Sequence, residues 1–329
     1  MNIYDIAKEA GVSTATVSRV VNNKDNISKI TRDKVEAILA KHNYIPNAIA
    51  RGLMVQTMNT IGVVTVDIRD PHYATTAFII EQDFRKLGYN VVLCNTGGKT
   101  PESINYIKML AEKQVDGIIL IGSIFNNEEI KAGVLSYAKN IPIVLANGYL
   151  ELETSYSVLV DDSWGITLCV DHLFQKGHTD IVYVKDAKTY SAEQKKEGFC
   201  SAMKKNGLPM EENSIIVVER GLEGGYEAVE KLVNLKKNFS AIIFGEDITA
   251  IGGIKKLKEL GKKVPDDVAV TGFNNSIFAQ CSDPELTSVD NKVETVGSLS
   301  VHLLNSLIEK QNATSNILIR PELVIRKSS

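Results

Sequence analysis

Cysteine is scarce and scattered. Cys94, Cys169, Cys200 and Cys281 are the only four in 329 residues, and no two form a C-x-x-C pair. This spacing carries neither a zinc motif nor a disulfide framework and predicts reduced thiols in a cytoplasmic protein. Five histidines (His42, His72, His172, His178, His302) make no H-x-x-x-H or H-E-x-x-H cluster, so no metal or cofactor is expected. A G-x-S-x-G nucleophile elbow is also missing. Asn95-Thr96-Gly97-Gly98-Lys99-Thr100 resembles a phosphate-binding loop, but Leu93 stands where that motif needs its first glycine. No apolar run approaches the roughly 18 residues of a membrane span. The opening Met1-Asn2-Ile3-Tyr4-Asp5 lacks the basic and apolar regions of a secretory signal. These absences argue against catalysis, membrane insertion and export.

What remains is an ordinary globular composition, 44% hydrophobic and 23% charged. The length predicts two or three domains. The net charge of −3 is unevenly spread: residues 1–58 hold eight basic and five acidic side chains, so this head carries +3 and the rest −6. A basic head on an acidic body suits a nucleic-acid-binding module joined to a sensor.

Ile3, Ile6, Ala7 and Ala10 fall on one helix face, and Gly11 can end that helix at positive φ. Ser13 is the expected N-cap of a second helix, with Val12 and Val17 as its hydrophobic staple. Val17, Val20 and Val21 form the buried face of this helix. The three-residue link Gly11-Val12-Ser13 fits a helix-turn-helix. A third helix is expected from an N-cap at Thr31, with an Ile30/Val35 staple and Val35, Ile38, Leu39 and His42 facing inward. The outer face of the second helix offers Thr14, Ala15, Thr16, Ser18, Arg19 and Asn22. Short polar groups with an arginine that forks onto guanine suit a helix in the major groove.

The run from Ile3 to Asn22, continued by Tyr44-Ile45-Pro46-Asn47, resembles the N-terminal signature of the lactose/galactose repressor (LacI) family. The resemblance implies base contacts from Thr14, Ala15 and Arg19. It implies phosphate contacts from Tyr4, Ser13, Thr16, Ser18 and Asn22. Asn47-Ala48-Ile49-Ala50-Arg51-Gly52-Leu53 resembles the family's hinge helix, which lies in the minor groove. Asn47, Ala50 and Arg51 would belong to that helix, and Leu53 would wedge a base step open. The chain lacks the Lys or Arg that usually follows the leucine; Met54 stands there.

From Thr60 onward, strand-length apolar runs alternate with helix-length segments. Strands are expected at 61–66, 90–94, 117–121, 141–145, 158–160, 180–184, 214–218, 241–244 and 268–272. Helices are expected near 74–87, 101–113, 128–139, 164–176, 193–206, 226–233 and 248–260. This alternation predicts a doubly wound α/β fold in two halves, beside an all-α helix-turn-helix head. Through Gln114–Ile119, Gly177–Ile181, Gly198-Phe199, Val264–Val268 and Leu286–Val289 this stretch resembles the periplasmic-binding-protein-like body of the same family. The domains expected are residues 1–46 (DNA-binding), 47–59 (hinge and linker) and 60–329 (effector binding and dimerisation). The lobes would be 60–160 with 290–319, and 161–289 with 320–329.

Ligands of open α/β sheets bind beyond the carboxyl ends of strands. The loops expected there supply Asp67, Tyr73, Ser123, Asn147, Asp161, Tyr190, Ser191, Lys195, Asp247, Phe273 and Asn274. Aromatic faces beside short polar groups suit a sugar. Two positions depart from the family: lysines (Lys195, Lys196) replace the usual Arg ahead of Gly198-Phe199, and Asn274 replaces the usual Asp. The resemblance implies a homodimeric repressor on near-palindromic operator DNA, controlled by a small molecule, with a phosphoprotein co-regulator as the alternative signal. A sugar-binding transport component is the rival reading. The expected site is cytoplasmic, without membrane contact.

Overall fold

The computed structural model describes residues 2–21, 24–44, 58–152, 155–314 and 316–329. The chain divides into two units, Met1–Met58 and Asn59–Ser329.

The first unit holds α1 (Ile3–Ala10), α2 (Thr14–Val21) and α3 (Lys29–Lys41). Their shared core is Ile6, Ala7, Ala10, Val17, Val20 and Val35, all buried. So few side chains bury little area, at roughly 25 cal/mol per Å², so helix ends matter. Asn2 caps α1 and forms a capping box with Asp5. Gly11 ends α1 at φ 64°, a left-handed conformation that a Cβ would strain. The Ser13 hydroxyl accepts from the Thr16 amide at 3.1 Å and starts α2, and Val12 and Val17 pack in the core.

Helix α3 starts earlier than expected. Ser28, not Thr31, is its N-cap, because the Ser28 hydroxyl accepts from the Thr31 amide. Ile30 is then a surface residue, 84% exposed, and staples nothing. His42 points outward too, 2.9 Å from Glu9, which also binds Lys41 at 2.8 Å. The hydrogen bond from Lys41 lowers the Glu9 pKa, and His42 adds to the effect.

The second unit carries two six-stranded sheets. The first contains β1 (Thr60–Thr65), β2 (Asn90–Asn95), β3 (Gly117–Ile121), β4 (Ile143–Ala146), β5 (Ser155–Val160) and β11 (Asn316–Ile319). Its order is β11-β5-β4-β3-β1-β2, all parallel. The second contains β6 (Ile181–Lys185), β7 (Ile215–Val217), β8 (Ala241–Phe244), β9 (Ala269–Phe273), β10 (Thr287–Asp290) and β12 (Glu322–Val324). Its order is β12-β10-β9-β8-β6-β7, parallel except for β12. Near-continuous apolar strands, such as the fully buried Gly117–Ile121, fit sheets covered on both faces.

The first sheet is flanked by α4 (Pro71–Lys86), α5 (Thr100–Glu112), α6 (Glu128–Tyr137) and α12 (Val293–Ile308). The second packs with α7 (Asp162–Gln175), α8 (Tyr190–Lys205), α9 (Leu222–Asn234), α10 (Asp247–Glu259) and the short α11 (Ile277–Cys281). The chain passes between the two sheets three times, after β5, after β10 and after β11. Elements α11, α12, β10, β11 and β12 lie outside those expected from the sequence pattern. Helix α12 had a readable signal: Val296, Ser300, Leu303, Leu304 and Leu307 recur at helical spacing.

Candidate functional site

Each sheet reverses its strand order beside its first strand, at β1/β3 and at β6/β8. Loops diverge at such points and leave a crevice beyond the strand ends. Here the crevices of the two lobes face one another. A cavity of about 330 Å³ is lined from the first lobe by Asp67, Asp70 and His72, and from the second by Arg220, Glu246 and Asn274. A deeper cavity of about 50 Å³ shares His72, Arg220, Glu246 and Asn274 and adds Tyr73, Ser123, Asn147, Asp162, Asp186 and Ser191. Gly122 makes room at the end of β3. Its φ is 116°, and a Cβ there would stand 2.9 Å from the Tyr73 ring.

Arg220 joins the lobes. Its Nη2 lies 3.0 Å from Asp70 Oδ2 in the first lobe and 2.9 Å from Glu246 Oε2 in the second. The guanidinium also faces the Tyr73 ring, 5.9 Å from its centroid. Burial opposes its charge, but Glu246 and then Asp70 outweigh that and raise the Arg220 pKa. A second connection runs through amides. Asn274 donates to Glu246, Asn291 Nδ2 donates to Asn274 Oδ1 at 2.8 Å, and the same Asn291 atom lies 3.2 Å from His72 Nδ1. Burial lowers the His72 pKa, opposed by Glu246 and Asp70.

Replacing Arg220 with methionine would keep the side-chain stem but leave Asp70 and Glu246 without their shared cation. We expect a stability loss of about 1.5–3 kcal/mol, the scale of hydrogen bonds to charged groups. Urea unfolding at low salt measures it, and an unchanged midpoint would show that the bridge contributes nothing.

Of the residues expected in the cleft, Asp67, Tyr73, Ser123, Asn147, Ser191, Lys195, Asp247 and Asn274 line one or both cavities. Phe273 does not. It is 1% exposed, and its ring lies beneath the Lys195 ammonium, 3.7 Å from Nζ. The lysine therefore takes the face that stacking on a sugar would need. Asp161 caps α7 through the Trp164 amide, and Tyr190 meets Tyr149 with centroids 6.3 Å apart; neither lines the cavities. Asp247 borders the larger cavity, but its carboxylate is held within the second lobe. It accepts from Ser276 N at 2.7 Å, Ser276 Oγ at 2.8 Å and Ser288 Oγ at 2.6 Å. The sequence reading missed Asp162, Asp186, Arg220 and Glu246. Each directly neighbours or lies within three residues of a strand's carboxyl end, which is the signal that could have found them.

Burial raises three carboxyls of the cleft: Asp162 to about 6, Asp186 to about 6 and Asp247 to about 7. An acid whose folded pKa is raised binds more protons folded than unfolded, so its stabilising contribution is lost as pH rises. For Asp186 the window runs from about 4 to about 6. Asp186→Asn removes that dependence while Thr249 keeps an oxygen acceptor, now 2.6 Å away as Asp186 Oδ2. Relative to wild type, this variant should gain on the order of 2 kcal/mol between pH 4 and pH 8. A stability difference that stays flat across that range would contradict the raised Asp186.

In the head, Ala15 and Arg19 are exposed on α2, and Thr14, Thr16 and Ser18 are half-buried beside them. Ser13 is exposed, and Tyr4 on α1 is 71% exposed. Ser13 and Thr16 share a hydroxyl contact of 2.9 Å that forms part of the cap. Asn22 and the hinge positions Asn47, Ala50, Arg51 and Leu53 lie outside the described residues. Among the described residues no group of His, Cys, Asp or Glu is placed to hold a metal, and no helix is long and apolar enough to cross a membrane.

Comparison with known proteins matches both units. Residues 2–47 match the family model of bacterial regulatory proteins, lacI family. Residues 170–329 match a periplasmic binding protein-like domain. An HTH-type transcriptional regulator of Lachnoclostridium phytofermentans is 38% identical, covering 100% of this chain and 99% of the relative. Catabolite control protein A of Priestia megaterium is 32% identical, over 98% and 97%. The crystal structure of the lac repressor dimer bound to operator and the anti-inducer ONPF aligns with a TM-score of 0.89 at 26% identity, covering 100% of this chain and 98% of that one. A helix-turn-helix head, a two-lobed body with a cleft and full-length relatives of the same make-up lead to one assignment: the chain belongs to the LacI family of bacterial regulatory proteins and is a DNA-binding transcriptional regulator.

Proposed function

We propose that this regulator is a repressor, that it binds near-palindromic operator DNA as a homodimer, and that a saccharide in the interlobe cleft sets its affinity for DNA. The observation that carries the reading is the cleft itself, whose walls come from the carboxyl ends of strands in both lobes. A ligand that touches both lobes stabilises one lobe angle over others, which is what an effector must do to shift an equilibrium. Hydroxyl and amide groups from Ser123, Asn147, Ser191 and Asn274 suit sugar hydroxyls, with Tyr73 as the aromatic wall.

On the DNA side, Thr14, Ala15 and Arg19 would reach base edges, and Tyr4, Ser13, Thr16, Ser18 and Asn22 the phosphates. Asn47, Ala50, Arg51 and Leu53 would form the minor-groove hinge. The lac repressor relative is a dimer on its operator, which supports the same assembly here. The protein would act in the cytoplasm, where the DNA is. Membership of a regulator family sets aside the transport-component reading.

The test has two steps. Duplexes selected by the protein from a random pool should share a two-fold motif. A saccharide that raises the thermal stability of the protein should then change affinity for the selected duplex by about 5- to 150-fold. Selection without a two-fold motif would refute the dimeric operator. A stabilising saccharide that leaves DNA affinity unchanged would refute the coupling.

A further inference from the structure

The charges in the cleft do not balance. Six carboxylates line the two cavities, against the cations Arg69, Lys195 and Arg220. Most of the acids are already engaged. Asp67 binds Arg69 through contacts of 2.6 Å and 2.9 Å, and Asp70 and Glu246 share Arg220. Asp247 accepts from Ser276 and Ser288. Lys195 donates to the Gly245 carbonyl at 2.9 Å and lies 3.8 Å from Glu246.

Asp162 and Asp186 are left without a cation in contact among the described residues. Both are 5% exposed, and both line the deeper cavity. Thr249 donates to Asp186 Oδ2 at 2.6 Å. Asp162 bonds Ser191, but its Oδ1 is buried with no hydrogen-bond partner. A buried carboxylate oxygen without a partner is costly, and a cation carrying several N–H donors satisfies it better than a hydroxyl.

We propose that the cleft selects a saccharide bearing a protonated amine, with the ammonium held against Asp162 and Asp186, and that it rejects sugar phosphates and uronates. This rests on the reading of the cleft as a saccharide site and adds the ligand's charge to it. An anionic sugar entering the deeper cavity would meet two carboxylates that no cation contacts, while Lys195 and Arg220, which line the same cavity and act on those acids from a distance, already have acidic or carbonyl partners. The lysine at 195 fits the same scheme. Its ammonium is turned onto Gly245 and the Phe273 ring, away from the role of a fork on neighbouring hydroxyls. Burial raises both acids to about 6, and an ammonium beside them would favour their charged forms and lower both.

The experiment uses the full chain at pH 7 and calorimetric titration. The probes are D-glucosamine, D-galactosamine and D-mannosamine, the three parent hexoses, their 6-phosphates and the corresponding uronates. At least one amino sugar should bind ten-fold or more tightly than its parent, and no phosphate or uronate should match it. Asp162→Asn keeps the shape of the side chain. It should erase that preference, bringing the affinities of the amino sugar and its parent hexose to within about two-fold of one another, with thermal unfolding and circular dichroism reporting that the variant is folded. A parent hexose, phosphate or uronate binding as well as or better than every amino sugar would overturn the ammonium assignment and leave the saccharide site standing. An intact preference in Asp162→Asn would also overturn it. If no sugar in the panel binds, both the assignment and the saccharide reading fall.

Discussion

Arg19→Ala is expected to weaken binding to the selected operator by about 1–3 kcal/mol, roughly 5- to 150-fold, and to relax selectivity at one base pair of each half-site. Arg19 is exposed on α2, whose opposite face is anchored by the buried Val17 and Val20. The neighbouring Ala15 offers only a methyl group, so the arginine is the side chain on this face able to make a bidentate contact with guanine. The substitution leaves the core intact, so the head should unfold at the wild-type temperature. Competition against mutated half-sites measures both effects. A uniform loss across all sequences, with a reduced salt slope, would instead mark Arg19 as a phosphate contact.

Leu304→Ala is expected to cost about 2–5 kcal/mol of stability. Leu304 is 0% exposed in the core of the first lobe, and its δ carbons stand 2.8 Å and 3.0 Å from where a Cβ on Gly117 would be. Helix α12 packs on α4 and across β3, β4 and β5, so a cavity at Leu304 opens the centre of that lobe. Urea unfolding of the full chain would show the loss, with operator binding followed separately to report on the head. A loss below about 1 kcal/mol would mean that the lobe does not depend on this helix.

The helix-turn-helix was legible because its cause is local. Gly11, Ser13 and the valines of α2 each act within a few residues through backbone conformation, capping and helical spacing. The start of α3 shows where such reasoning fails. Ser28 and Thr31 are both good caps, three residues apart and bonded to each other, so residue type alone does not choose between them, and in the fold Ser28 takes the role. In the cleft, Tyr73, Ser123, Asn147, Ser191 and Asn274 were readable as polar or aromatic residues near strand ends. Phe273 was misread because its neighbour above, Lys195, is 78 positions away in the chain and takes its ring face.

The sequence by itself determined the α-helical head, the alternating α/β body and the face of α2 turned away from the core, since each follows from periodicity and short-range chemistry. Only the tertiary structure decided which charges meet. Asp70, Arg220 and Glu246 come from separate loops of two lobes, and their pairing depends on distances that no local pattern encodes. The same holds for Asp162 and Asp186, whose ionisation is governed by how deeply the folded lobes bury them. Electrostatic energy depends on separation and burial in space, and these are set by the packing of elements distant in sequence.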